Sequence, residues 1–353
     1  VPEARVAAPD RPRRAAAIPT RSRLGLTALA GASFVYVTAE TLPVGLLPQL
    51  STGLHVRPGT VGLLVTVYAA VAGLTAIPLT ASLEHRSRRT VVVGCVALLA
   101  LSQFMVTVAP DYAVVLAARV LCALAHGVFW SMLAPVAARL VPAGQGGRAT
   151  ALVFVGNSVA LVGGIPLGTA LGHAVGWRAA MAAVGLLGVL SAVALRRVLP
   201  GLPELPGLPE LPAAPAAREL TANPADHEAT LRPGVRARLA ALPAALGSGP
   251  LLAICLVTMI VVIGHFAAYT YITALVRRDA GLSGLGLSAV LFGYGAAGIA
   301  GIVLAGRITD RRPRRAGAAA VSGVVLALSV LATVAHGSTV GTVTAVAIWG
   351  AGF

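Results

Sequence analysis

The chain has 353 residues, of which 57% are hydrophobic and 11% charged. Soluble domains carry about 25% charged residues, so too few charges are present to cover a globular surface, and lipid is the expected solvent for most of the chain. All 27 basic residues are arginine; with no lysine, neither a phosphate-binding G-x-x-x-x-G-K-[ST] loop nor a Schiff-base amine can form.

The net charge of +15 does not indicate a nucleic-acid partner, because the arginines sit in short loops between long apolar runs, the pattern of membrane orientation. The cysteines Cys95, Cys122 and Cys255 are far apart within apolar runs. They read as small buried residues, with neither a disulfide framework nor a metal site.

Residues 1–23 form a basic tail with prolines. Apolar segments long enough to span a bilayer follow at 24–48, 59–83, 90–109, 112–138, 149–171 and 177–199. The stretch 200–249 differs in kind. Gly201-Leu202-Pro203-Glu204-Leu205-Pro206 repeats at once as Gly207-Leu208-Pro209-Glu210-Leu211-Pro212, and proline at this density favours an extended linker over a helix. Further spans are predicted at 250–276, 285–308 and 315–335, with another begun at 338–353. The expected architecture is all-α: a six-helix bundle over 24–199, a cytoplasmic linker over 200–249, and a second bundle over 250–353 that is truncated within its fourth helix.

With the first residues in the cytoplasm, 22 arginines fall on the cytoplasmic side and four (Arg57, Arg178, Arg277 and Arg278) on the other. That asymmetry supports both the segmentation and the orientation. Only Arg119 among the arginines, and only Glu40 among the 12 acids, lies well inside a span.

Two loops resemble one another. Thr80-Ala81-Ser82-Leu83-Glu84-His85-Arg86-Ser87-Arg88-Arg89 and Gly306-Arg307-Ile308-Thr309-Asp310-Arg311-Arg312-Pro313-Arg314-Arg315 share an acid at the fifth position and a closing arginine pair. This pattern resembles the G-x-x-x-D-R-x-G-R-R signature between the second and third helices of the Major Facilitator Superfamily. The second copy keeps Gly306, Asp310, Arg311, Arg314 and Arg315. The first is degenerate, with Thr80, Glu84, His85 and Ser87 at four signature positions and Arg88 and Arg89 retained. Arg119-Val120-Leu121-Cys122-Ala123-Leu124-Ala125-His126-Gly127 is similar to the fourth-helix arginine motif. Gly156, Gly164, Pro166, Gly168 and Gly172 are similar to the fifth-helix motif of the antiporter branch.

The resemblance implies a twelve-helix drug:proton antiporter, in the group of arabinose-efflux-permease-like and chloramphenicol-resistance-like exporters. It implies a monomer in a bacterial plasma membrane with a small-molecule substrate, driven by protons and needing no cofactor. The two acidic loops would form a cytoplasmic gate in which acids pair with arginines across the bundle interface. A merely topogenic basic loop is the competing reading for the first copy. Uptake, symport or facilitated diffusion on the same fold, and a non-transporting receptor or assembly protein, are the alternative functions.

An ionisable side chain in the bilayer costs about 2.5–3.5 kcal/mol on insertion scales, so Glu40 and Arg119 each need a partner or a wet cavity. Counted at 1.5 Å per residue, Glu40 lies about 24 Å from the cytoplasmic face and Arg119 ~10 Å from the outer face. Those depths are similar, so a Glu40–Arg119 pair is expected, either as a proton-coupling site or as a static ion pair. His126 and His265 lie mid-span and suit a substrate cavity or an interhelical hydrogen bond. Tyr269 and Thr258 are expected near His265 on the seventh helix, as cavity-lining residues. Gly293, Ala297, Gly301 and Ala305 recur every four residues, which predicts a close helix-packing face rather than a dinucleotide loop.

Overall fold

The computed structural model describes residues 18–83, 86–200, 247, 249–270, 272–282, 284–333 and 337–352. The elements among them are helical. The first set is α1 (Thr20–Gly45), α2 (Leu47–Gly53), α3 (Pro58–Ser82), α4 (Arg88–Thr107), α5 (Tyr112–Arg139), α6 (Gly146–Val159), a π segment (Ala160–Gly164), α7 (Ile165–Val175) and α8 (Trp177–Val198). The second is α9 (Gly249–Thr270), α10 (Ile272–Ala280), α11 (Gly284–Thr309), α12 (Pro313–Thr333) and α13 (Thr339–Gly352). The tail before residue 18, Glu84 and most of the 200–249 linker lie outside the described residues.

Among the described residues, seven helices are long and apolar enough to cross a membrane, or nine if each of two bent pairs counts as one span. This is a multi-pass α-helical membrane protein. The bends have local causes. α1 meets α2 at 67° where Pro43, Gly45 and Pro48 crowd the junction. The α6–π–α7 span bends by 41° just before Pro166, whose missing N–H leaves the Val162 carbonyl without its helical donor. Two helix starts are fixed by side chains: Ser87 caps α4 by accepting from the Thr90 N–H, and Asp111 caps α5 by accepting from the Val114 N–H.

Two hydrophobic cores form. One runs from Leu26 to Leu199 and is built on α1, α3, α4, α5 and α8; the other joins α9–α13 around Trp349. On the outside of α9, Ile254, Ile260 and Ile263 are exposed, as a lipid-facing helix requires.

Four glycines of the fifth span, Gly156, Gly164, Gly168 and Gly172, face α1 and its C-terminal end. A Cβ at Gly156 would strike the Ala30 carbonyl, one at Gly164 would strike Thr38, one at Gly168 would meet Leu42 at 2.8 Å, and one at Gly172 would strike Leu46. The two spans run parallel and stay in step over their length. On α11 the small residues are divided differently from the expected stripe. Gly295 and Gly306 abut Val162 and Ala151 of the fifth span, while Gly301 abuts the Ala351 carbonyl of α13. Gly293 faces open space and does not belong to the packing face, because the close neighbours of α11 lie on two of its other sides.

Substituting Gly156→Ala forces α1 and α6 apart and is expected to destabilise the protein by about 1–3 kcal/mol. Gly62→Ala, where a Cβ meets nothing within 4 Å, is expected to be neutral or slightly stabilising. Thermal unfolding midpoints in detergent compare the two.

Candidate functional site

The buried charge in the first bundle is held by backbone. Arg119, on α5 and 2% exposed, donates from Nη1 to the Ala39 carbonyl at 2.9 Å and from Nη2 to the Glu40 carbonyl at 3.1 Å. Ala39 is available because the residue four positions later is Pro43, which has no N–H to give it. Each charge-assisted bond contributes about 1.5–3 kcal/mol, enough between them to offset the insertion cost of one arginine. The guanidinium also lies over the Tyr68 ring, 4.1 Å from its centroid.

Arg119 and Glu40 therefore meet at one depth, but through the backbone of Glu40 and not its carboxylate. The carboxylate turns to His126 instead, with Oε2 4.0 Å from Nδ1. His126 Nδ1 is in turn 2.8 Å from the Tyr68 hydroxyl. Tyr36, which stacks on Phe129 and donates to the Cys95 carbonyl, closes the cluster from α1.

A cavity of about 1230 Å³ runs along the seam between the bundles. Phe154, Asn157 and Ser158 of α6 line one side; Tyr294 of α11 and Tyr269 of α9 line the other. Among the described residues, none lining it carries a formal charge. Tyr269 stands where a cavity residue was expected. His126 does not line it but belongs to the Glu40 cluster. His265 is buried inside the second bundle, where its Nδ1 accepts the Trp349 indole N–H at 3.2 Å. Thr258 is exposed on α9 and donates to the Ile254 carbonyl of its own helix, the usual self-satisfaction of a threonine in a helix. Neither of the last two meets the cavity.

At the end of the seam that carries the arginine-rich loops, the bundles touch directly. Asp310 accepts from the Gly147 N–H at 2.6 Å and from the Arg148 N–H at 3.3 Å. The first N–H groups of a helix have no intrahelical partner, and the helix dipole adds positive potential there, so α6 presents an anion site to the carboxylate. Gly306 allows the approach, since a Cβ there would meet Ala151 at 2.5 Å.

The expected acid–arginine pairing across the interface is not formed by Asp310. Arg311, Arg314 and Arg315 are exposed: backbone amides already satisfy the acid, and the arginines keep their hydration. Arg88 is buried at the start of α4, and Arg89 donates to the Arg196 carbonyl at the end of α8, so both act within the first bundle.

Sequence reasoning missed Tyr68, Asn157, Phe154, Tyr294 and the role of Pro43. Only Pro43 left a readable signal, as a proline four residues beyond Ala39.

Comparison with known proteins bears on the family and the fold. The model for the Major Facilitator Superfamily matches residues 29–353. The chain is 38% identical over 332 residues to a protein named chloramphenicol efflux pump in Mycobacterium tuberculosis (strain CDC 1551 / Oshkosh), covering 92% of this chain and 74% of that one. The counterpart from strain ATCC 25618 / H37Rv matches with the same identity and coverage. The crystal structure of the human organic anion transporter TETRAN superposes with a TM-score of 0.59 at 16% identity, over 95% of this chain and 85% of that one; at that identity the likeness concerns the fold.

Replacing Asp310 by asparagine removes the charge from the α6 contact while keeping its size. The seam is expected to open more often at that end. A cysteine placed at Ala151 would then react several-fold faster with an impermeant maleimide in inverted vesicles carrying Asp310→Asn than in those carrying Asp310.

Proposed function

This chain belongs to the Major Facilitator Superfamily and is a transporter rather than an enzyme; we propose that it exports a neutral aromatic small molecule of the chloramphenicol type in exchange for protons. The observation that carries the substrate class is the cavity: its described lining is uncharged and combines aromatic faces (Phe154, Tyr269, Tyr294) with amide and hydroxyl groups (Asn157, Ser158). A charged solute would lose its hydration there without a counter-ion. A neutral one can stack and hydrogen-bond. The names of the mycobacterial relatives point the same way.

Glu40 is the proton-binding group in this reading. Its carboxylate is 37% exposed, in a bundle where Arg119 stays charged throughout. Protonated, it leaves the arginine uncompensated; deprotonated, it balances it. Charge on this group thus tracks which face of the transporter is open. Alternating access would proceed by rocking about the α6–α11 seam, with Asp310 latching one end. The protein works as a monomer in a bacterial plasma membrane, with the arginine-rich loops and the first residues on the cytoplasmic side.

Cells expressing the chain are expected to accumulate less chloramphenicol than control cells, and an uncoupler should abolish the difference. Glu40→Gln is expected to bring accumulation back to the control level while substrate binding is retained. Exchange of a neutral solute for protons moves net charge inward. In right-side-out vesicles that hold both a pH gradient and an inside-negative membrane potential, collapsing the potential with valinomycin and potassium should therefore slow export. Accumulation driven inward by the proton gradient would show the chain to be an importer.

A further inference from the structure

We propose that His126 and Tyr68 carry the transported proton together with Glu40, making the coupling site a relay across α1, α3 and α5 instead of a lone carboxylate. The inference rests on the reading of Glu40 as the proton-binding group and adds the route by which the proton moves away from it.

The geometry sets up a choice at one atom. His126 Nδ1 lies 2.8 Å from the Tyr68 hydroxyl and 4.0 Å from Glu40 Oε2. A neutral imidazole has a single acceptor nitrogen. While Nδ1 accepts from Tyr68, it cannot take a proton from Glu40. The second distance exceeds a hydrogen bond by about an ångström, a gap that rotation of the glutamate side chain closes. Exposure falls along the same line: the Glu40 side chain is 37% exposed and that of His126 17%, and Tyr68 is 2% exposed. The carboxylate is the open end and the phenol the closed end.

The step is a proton transfer. The Oε2–H bond of protonated Glu40 breaks, its electron pair stays on the carboxylate, and the proton forms an N–H bond at Nδ1 of His126. Tyr68 turns its hydroxyl so that its oxygen accepts from the new N–H. Arg119, fixed over the Tyr68 ring at 4.1 Å, opposes a second cation beside it, so the imidazolium is short-lived: the ring, 17% exposed, releases its Nε2 proton to water and is left neutral with the new proton on Nδ1.

The groups facing the relay are few. They are Tyr36 on α1, Cys95 on α4 and Arg119 and Cys122 on α5, whose Sγ is 3.8 Å from the Tyr68 hydroxyl. α6 contributes Phe154, whose ring lies tilted 5.6 Å from that of Trp130, and among the described residues brings no titratable group to this level. A purely structural Tyr68–His126 bond would need neither a carboxylate beside the same nitrogen nor a guanidinium over the same ring.

The test compares Glu40→Gln, His126→Gln and Tyr68→Phe in proteoliposomes, with chloramphenicol as the probe. Two rates are read: uphill transport driven by an imposed pH gradient, and chloramphenicol exchange with no gradient. Glutamine at position 126 can still hydrogen-bond but cannot bind a proton, and phenylalanine at 68 keeps the ring beneath Arg119. Both variants are expected to keep exchange within about twofold and to lose uphill transport by at least about tenfold.

Uphill transport at the unsubstituted rate in either variant, with Glu40→Gln inactive, overturns the relay and leaves the proton-coupling reading intact. Retained uphill transport in Glu40→Gln overturns both. If His126→Gln does not fold, Tyr68→Phe decides alone. Should chloramphenicol not be carried at all, the infrared band of the protonated carboxyl that Glu40→Gln removes is titrated in the other two variants. A shift of about one pH unit supports the relay, and an unmoved midpoint overturns it.

Discussion

A guanidinium bonded to two carbonyls of a neighbouring helix organises the first bundle. Pro43 withholds the N–H that Ala39 would otherwise receive, and Arg119 supplies the missing donor from α5. A proline that would weaken an isolated helix here becomes the socket for a buried cation. The contact fixes α5 against α1 at the depth of Glu40. It also spends the arginine's directional bonds on backbone, which leaves the Glu40 carboxylate free to meet His126. Had Arg119 gripped the carboxylate in a bidentate pair, proton binding would have had to break that pair.

From α1 the arrangement passes outward to the cavity between the bundles. The fifth span lies along α1 through Gly156, Gly164, Gly168 and Gly172, each so close that a side chain would collide. The opposite side of that span, with Phe154 and Asn157, faces the cavity. The Glu40 cluster and the cavity are thus separate, yet share a single wall of packed helix. The π segment at Ala160–Gly164 interrupts this wall, where one extra residue per turn lets the two faces be aimed separately. Packed helices that meet through glycine move as a unit. A change of charge near Glu40 therefore has a short mechanical route to the cavity.

At one end of the seam, the carboxylate of Asp310 sits on the first amides of α6. Such a latch depends on one charge and a helix terminus, both fixed by the fold, and needs no long flexible side chain to be ordered. That explains why Arg311, Arg314 and Arg315 stay in solvent although they lie beside the acid in sequence.

The amino-acid sequence by itself determined the solvent, the spans, the break between bundles and the two charges that do not belong in a membrane. These follow from composition and from the length of apolar runs, which are properties of contiguous residues. It also placed Glu40 and Arg119 at one level, because helical rise is constant. Only the tertiary structure decided which atoms meet there. Tyr68, His126 and Glu40 come from three helices, and their meeting depends on how each helix is rotated about its axis, which no local pattern in an all-round apolar helix records. For the same reason His265 and Thr258, which the seventh helix offered as cavity residues, turn instead to Trp349 and to their own backbone. Asp310 stands out in the sequence as the acid of the arginine-rich loop, but its partner does not: a backbone amide has no letter in the sequence, and it becomes a site only where a helix begins.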